Sequence, residues 1–472
     1  MSTATAQRVR YTAEALAEWV VRSDSTDLGE SAPMLMRRNV LDSIGCAIAA
    51  LDGETVQAVR DTVAVDGGPA TLIGGGRTSV DQATLFNSVA VRYVDLLDTY
   101  LSRGGLCHPA DNFGAILAVA ESAGATGDEF VLALAVAYEV QCRFSAAVPV
   151  MARGLNHALQ LAISVAAGAA KLLHLSAEQT ANAIAIAAAD NVSLAAIHSE
   201  PVSNWKGISP GITAQRAVYT TALAQRGITG PLGLFEGPNG LEQLFGQHID
   251  LRLDDPALGV VNQTHLKKYC SLIHGQAPIE TVLVLARDHG IDPEDVEAVD
   301  AEVFQTAYDI AGGGSFGDKD SPSTKEQADY NLKYLLAAAL IDGRVGPEQL
   351  QTERIGRCDV QRLLRRVDVR PNATFTADYP RSTPVRIDVT LRSGQRFSRE
   401  QHDFEGSPSR PLTWERTVEK FHWLSEQYAA SALRDEIVDG VQQLGAAPVS
   451  ELTRLLGDVS PARRLPRMRP PI

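Results

Sequence analysis

Runs of alanine and glycine set within helical pattern constrain this chain more than any other feature. SVAAGAAKLL (Ser164–Leu173) and AIAIAAAD (Ala183–Asp190) offer short side chains along whole helix faces. Backbones carrying them can approach closely, so these helices suit a large, tightly packed all-α core. Helical pattern runs from about residue 12 to 265. Ser31-Ala32-Pro33 combines a capping serine with an early proline and opens a helix toward Gly53. Leu85, Phe86, Val89, Ala90, Tyr93, Val94 and Leu97 form one apolar stripe at helical spacing. Ser176-Ala177-Glu178-Gln179 has the form of a capping box. No fixed repeat period recurs, which argues against a solenoid.

Near residue 266 the texture changes. Val296–Phe304 partly alternates, and Val385–Glu400 reads as two strands joined at Ser393-Gly394. Between them lie the glycine-rich AGGGSFGDKDSPSTKEQ and a helix in ADYNLKYLLAAALIDG. Helical pattern returns at PLTWERTVEKFHWLSEQY, so the C-terminal part is expected to pack back on the first. The resulting expectation is a mainly α fold with residues 1–265 and 411–472 as a large helical domain and residues 266–410 as a smaller α+β domain. The end, PARRLPRMRPPI, reads as a loose tail.

At 472 residues, 45% hydrophobic and 21% charged, the chain can bury a sizeable core. Its 57 acidic against 43 basic residues, net −14, argue against a nucleic-acid or anionic-membrane surface. A small anionic ligand stays open, because local charge decides its binding. The start lacks the apolar core of a signal peptide, and stretches such as FVLALAVAYEV are short and soon interrupted by charge. A cytoplasmic protein without a membrane partner is expected. Cys46, Cys107, Cys142, Cys270 and Cys358 are widely spaced and odd in number, which reads as buried free thiols. Without HExxH or a cysteine ligand cluster, metal chemistry has no support. Gly74-Gly75-Gly76-Arg77 and Gly312-Gly313-Gly314-Ser315 lack the context of phosphate loops.

Four basic residues stand at apparent helix starts: His108, His157, Lys206 and His274. Helix N-termini present unpaired N–H groups and a positive dipole end, so a protonatable or cationic side chain there makes an anion site. Any one alone is an ordinary helix-start residue; converging, the four would hold a polycarboxylate. Asp95, Asp98 and Thr99 fall at i, i+3 and i+4, as on one helical face. The following loop, with Gly104-Gly105 for a sharp return and Pro109 restricting His108, could bring an aspartate to orient that histidine. His157 follows Asn156, a good cap, and the helix dipole should hold its pKa low until a carboxylate binds. Lys206 is read as a loop residue before Ser209-Pro210, and His274 precedes Pro278 where the two textures meet.

These residues recur within Val94–Glu121, Arg153–Ser176, Ser203–Val218, Leu266–Glu280 and Ala328–Gly343. In that order the five segments resemble the MmgE/PrpD family, which contains 2-methylcitrate dehydratases and cis-aconitate decarboxylases. The resemblance implies a large all-helical domain from both chain ends, a smaller lid domain between them, a homodimer, and no metal or organic cofactor. It carries the family's active-site pattern to Asp95, Thr99, His108, His157, Lys206 and His274, with Tyr334 on the lid helix. LSRGGLC replaces the family's tryptophan- and glutamate-containing loop, and Lys206-Gly207-Ile208 replaces a Lys-Ser-Trp arrangement. The expected activity is dehydration of a 2-methylcitrate-like hydroxy tricarboxylate, as in propionate catabolism. Alternatives are a cis-aconitate decarboxylase, a dicarboxylate epimerase, and a non-catalytic carboxylate binder. On this reading Lys206, with Thr99 and Tyr334, holds substrate, His157 and His274 move protons, and Asp95 and His108 orient one another.

Overall fold

A computed structural model describes residues 10–460, so the Pro/Arg-rich end PARRLPRMRPPI lies outside the described residues. The fold is mainly α. Helices Val80–Tyr93, Phe113–Ala123, Gly127–Ala147, Ala158–Leu172, Ala177–Asp190 and Trp205–Gln225 pack on one another. In Ala158–Leu172 every residue but Lys171 is buried. The small residues serve close approach: a Cβ on Gly168 would lie 2.7 Å from Ile116 Cδ1 and 3.0 Å from the Ala133 carbonyl. The capping box at Ser176 is formed, with Gln179 N donating to Ser176 Oγ at 3.2 Å and Ser176 N donating to Gln179 Oε1 at 3.0 Å. Gly127–Ala147 is long and apolar enough to cross a bilayer by composition, but most of its apolar window is buried inside this bundle.

Four strands form the larger sheet, in the order Val367–Pro371, Val296–Val303, Val385–Leu391, Arg396–Gln401. Val296–Val303 pairs parallel with the first, Val299 opposite Val367, and antiparallel with the third, Val303 opposite Val385. Val385–Leu391 and Arg396–Gln401 form the expected hairpin, with Gly394 at φ 86° in its turn. Helices Gln276–His289 and Leu332–Asp342 cover the sheet. The helix Trp414–Ser425 lies against Ala32–Ala49, where a Cβ on Gly45 would sit 3.3 Å from Leu424 and 3.5 Å from Phe421 Cα. Lys420 on that helix donates to Asp42 Oδ1 (2.5 Å) and to the carbonyls of Leu96 (3.1 Å) and Lys267 (2.7 Å).

Three expectations are corrected. Asp95, Asp98 and Thr99 do not share a helical face: the helix ends at Tyr93, Asp95 has φ 49°, and Thr99 opens a strand. Thr99–Leu101 pairs with Leu106–Cys107 and with Thr264–His265. Long-range partners outcompete the helix here, since Asp98 Oδ1 accepts from Ala110 N (2.8 Å) and Lys267 donates to Asp95 Oδ1 (2.6 Å). Lys206 is not a loop residue but lies in the first turn of Trp205–Gln225, which runs through Pro210. A proline there leaves only the Lys206 carbonyl without its helical donor, a loss the buried helix tolerates. Of the five thiols, Cys358 is exposed and the other four are buried.

Candidate active site

Where the helical bundle meets the strand-bearing segment, a partly open cavity is lined by residues from both. The bundle contributes Leu106, His108, Met151, His157 and His198; the segment contributes Leu272, Ile273, His274, Ile310 and Tyr330. His108, His157 and His274 thus meet, each no more than 3% exposed. They arrive by local geometry: His108 precedes the Pro109–Asn112 turn, His157 caps Ala158–Leu172, and His274 sits in the turn before Gln276–His289. The rings form a column, His108 to His157 at 5.4 Å, His157 to His198 at 5.9 Å, and His198 stacked on Tyr330 at 5.7 Å.

Asp95 and Lys206 stand behind this lining. Lys206 Nζ is 2.5 Å from Asp329 Oδ1, 3.6 Å from Asp95 Oδ2 and 3.7 Å from the centre of the Tyr330 ring. Asp329 is held from its other oxygen by Lys325, and Asp95 by Lys267. Asp95 therefore does not hydrogen-bond His108, because two lysines claim its carboxylate. His108 Nδ1 instead lies 2.9 Å from the Asp98 carbonyl and 3.1 Å from Thr99 Oγ1. A carbonyl can only accept, so Nδ1 carries the proton and Nε2 keeps the lone pair. Thr99 holds this histidine rather than lining the cavity. Tyr334 is not in the cavity either: its hydroxyl donates to the Gln349 carbonyl, and Tyr330, one helical turn earlier in sequence, takes that place.

Burial dominates the electrostatics. It pulls His108 and His157 well below the ordinary histidine value, with Arg92 pushing the same way. His198 and His274 fall to about 3, burial first, then Lys206 for the former and Lys267 for the latter. Burial alone would raise Asp95, but Lys267, Lys206 and Arg92 outweigh it and hold the carboxyl well below its usual range. Lys206 and Lys267 are lowered by burial against the opposing pull of their aspartates. At neutral pH the cavity wall is a set of neutral imidazoles backed by buried cations. Such a wall can remove a proton next to a carboxylate, return one to a leaving group, and stabilise the negative charge between. Among the described residues, no group of three or more His, Cys, Asp or Glu is arranged to hold a metal ion.

Arg92, Asp111, His198, Lys267, Asp329 and Tyr330 were not singled out by sequence. A signal existed for some of them: Asp111 follows His108-Pro109, and Lys267, Asp329 and Tyr330 lie in the segments that carry the resemblance. Arg92 sits between apolar helix positions and reads as a surface charge.

Two family models match the chain: the MmgE/PrpD N-terminal domain over residues 14–254 and the MmgE/PrpD C-terminal domain over residues 269–444. Among curated proteins, the 2-methylcitrate dehydratase of Escherichia coli (strain K12) is 24% identical over 388 residues, covering 76% of this chain and 78% of its own. That of Salmonella typhi is 25% identical with the same coverage. The cis-aconitate decarboxylase of Mus musculus is 22% identical over 448 residues, 89% of this chain and 88% of its own.

Proposed function

The chain belongs to the MmgE/PrpD family, and on that premise we propose that it is a cofactor-free hydro-lyase dehydrating a 2-methylcitrate-like hydroxy tricarboxylate to its unsaturated product. The observation that carries this reading is the convergence of His108, His157, His198 and His274 on one cavity, backed by Arg92, Lys206 and Lys267. His108, with its lone pair on Nε2, takes the proton next to a substrate carboxylate. The buried cations stabilise the charge that builds on that carboxylate. His157 or His274 returns a proton to the departing hydroxyl, and the C–O bond breaks as the double bond forms. The apolar wall of Leu106, Met151, Leu272, Ile273 and Ile310 suits the alkyl part of such a substrate. Tyr330 replaces Tyr334 as the substrate-facing tyrosine, and Lys206 acts through its field. The enzyme is proposed to work as a cytoplasmic homodimer, which gel filtration of the purified protein tests.

Decarboxylation of cis-aconitate would use the same cations and one proton donor, and the resemblance to the mouse decarboxylase favours it as second reading. Incubation with 2-methylcitrate, citrate and cis-aconitate separates the two. Dehydration gives the absorbance of an unsaturated product without CO2, and decarboxylation gives CO2 from cis-aconitate alone. Turnover is expected to survive exhaustive chelation; activity lost to EDTA and restored by one defined metal would overturn the cofactor-free reading.

A further inference from the structure

Behind His157 three buried polar groups face one another at distances too long for hydrogen bonds. Asp111 Oδ2 is 3.9 Å from Arg92 Nη1 and 4.0 Å from His157 Nε2. Arg92, Asp111 and His157 are 2%, 0% and 3% exposed. Both terminal nitrogens of Arg92, both carboxyl oxygens of Asp111 and Nε2 of His157 have no hydrogen-bond partner among the described residues. Leaving so many buried polar atoms unpaired is costly. A polar gap near 4 Å is one that a single water bridges. We propose that Arg92, Asp111 and His157 form a seat for one water, through which Asp111 exchanges a proton with His157 during turnover.

The arrangement resolves a difficulty in the chemistry. His157 is asked to donate a proton at the cavity, yet burial, Arg92 and His198 all oppose an imidazolium there, with Asp95 pulling the other way. A neutral imidazole avoids the charge by working as a relay. Its cavity-side nitrogen gives a proton to the departing oxygen while Nε2 takes one from the seated water, which takes one from the Asp111 carboxyl. The imidazole ends neutral in its other tautomer, and Asp111 ends as a carboxylate facing Arg92. After product leaves, a proton from solvent enters at the cavity-side nitrogen while Nε2 returns its proton through the water to Asp111, which resets the tautomer and the carboxyl together. The groups facing Asp111 are Arg92 and Lys267, which favour its anion, and Asp95, which opposes it. Those facing His157 are Arg92, His198, Asp95 and the His108 ring. Burial outweighs Arg92 and raises the Asp111 carboxyl to about 6, so it can hold a proton near neutral pH. Asp111 acts through His157 and is a positioning residue with a proton to lend.

The relay rests on the proposed hydro-lyase reading, whereas the water seat does not. A high-resolution crystal structure of the unliganded wild-type protein is expected to place one ordered water about 2.7–3.2 Å from Asp111 Oδ2, an Arg92 Nη and His157 Nε2. A dry gap, or direct contacts that close it, overturns the seat and the relay together. For the relay, kcat and KM are measured against pH with 2-methylcitrate for wild type, Asp111→Asn and Asp111→Glu. The wild-type kcat/KM should fall with rising pH along a limb starting near 6, where Asp111 loses its proton. Asp111→Asn should cut kcat roughly 100-fold, change KM by less than about 3-fold and abolish that limb. Asp111→Glu should keep the limb. An Asp111→Asn enzyme with the wild-type rate and limb overturns the relay. If Asp111→Asn does not fold, a wild-type profile flat across pH 6 overturns it. A wild-type protein that turns over none of the three acids overturns the hydro-lyase reading and the relay with it, and the crystal water then decides the seat alone.

Discussion

His108 has its protonation pattern written by a main-chain carbonyl, and Lys206 has its charge consumed by two aspartates before any substrate arrives. Lys206→Met should therefore act on stability as well as rate. Removing one partner from a buried ion pair costs about 3–5 kcal/mol, because the remaining carboxylates stay desolvated. Urea unfolding is expected to report a loss of about that size, with kcat/KM falling in parallel; wild-type stability in this variant would mean that Asp329 and Asp95 do not depend on the lysine. The buried histidines set the pH dependence. His198 and His274, at about 3, and His265, at about 4, bind fewer protons folded than unfolded between those values and about 6.5, as do His108 and His157. Their contribution is present above about pH 6.5 and is lost as pH falls. Asp98 and Asp111, raised to about 7 and 6, and Asp42 and Glu139, also raised by burial, work the other way, but the five histidines outnumber these four carboxyls. The melting temperature should fall from pH 6.5 to 4.5; a constant or rising value would contradict neutral buried imidazoles.

At the scale of elements, the short side chains of the bundle are a packing requirement. A Cβ on Gly114 would lie 2.6 Å from Ser88 N, a backbone atom of Val80–Tyr93 that cannot swing aside. Gly114→Ala gains helix propensity of about 1 kcal/mol but must separate two helices, so a net loss of about 1–2 kcal/mol is expected by thermal or denaturant unfolding. A gain in stability would show that the helices have room. Local capping and turn chemistry was legible at the Ser176 box and the Ser393-Gly394 hairpin, which both form, whereas Ser31 starts its helix without a side-chain cap bond because its hydroxyl donates to Asn262. The parallel strand Val367–Pro371 was not anticipated, since its pairing with Val296–Val303 spans a long crossover and leaves no turn signal beside it. Asp95–Thr99 misled for the same reason, its helical spacing overruled by partners remote in sequence.

Across the whole molecule, Lys420 ties the helix Trp414–Ser425 to Asp42 and to the backbone beside Asp95 and Lys267. Lys420→Met should destabilise the protein by about 3–5 kcal/mol through the stranded Asp42 charge, measured by urea unfolding. Most of the cavity lining is buried, Leu106 and Met151 being partly exposed, so substrate entry is expected to widen the gap between the two parts of its wall. The segments that meet there are joined by the Lys319–Glu200 ion pair and by Glu200 N donating to the Phe316 carbonyl at 2.9 Å. Hydrogen exchange at residues 195–202 and 310–320 is expected to slow when 2-methylcitrate binds; unchanged exchange there would place the entrance elsewhere.

The sequence by itself determined the mainly α class, the Ser176 cap and the Ser393-Gly394 turn, and the three histidines His108, His157 and His274. Each of those histidines stands at a helix start marked by Pro, Asn or Gly neighbours, which is local information. Tertiary structure alone decided which charges are neutralised and which remain available. Arg92, Asp111 and Lys267 are ordinary charged residues in sequence, and only packing buries them together. Tyr330 faces the cavity and Tyr334 does not because the chain around Asn331 turns into a helix there, with the Tyr334 hydroxyl drawn to Gln349. Desolvation and pairing depend on what lies within a few ångströms in space, and sequence spacing does not encode that.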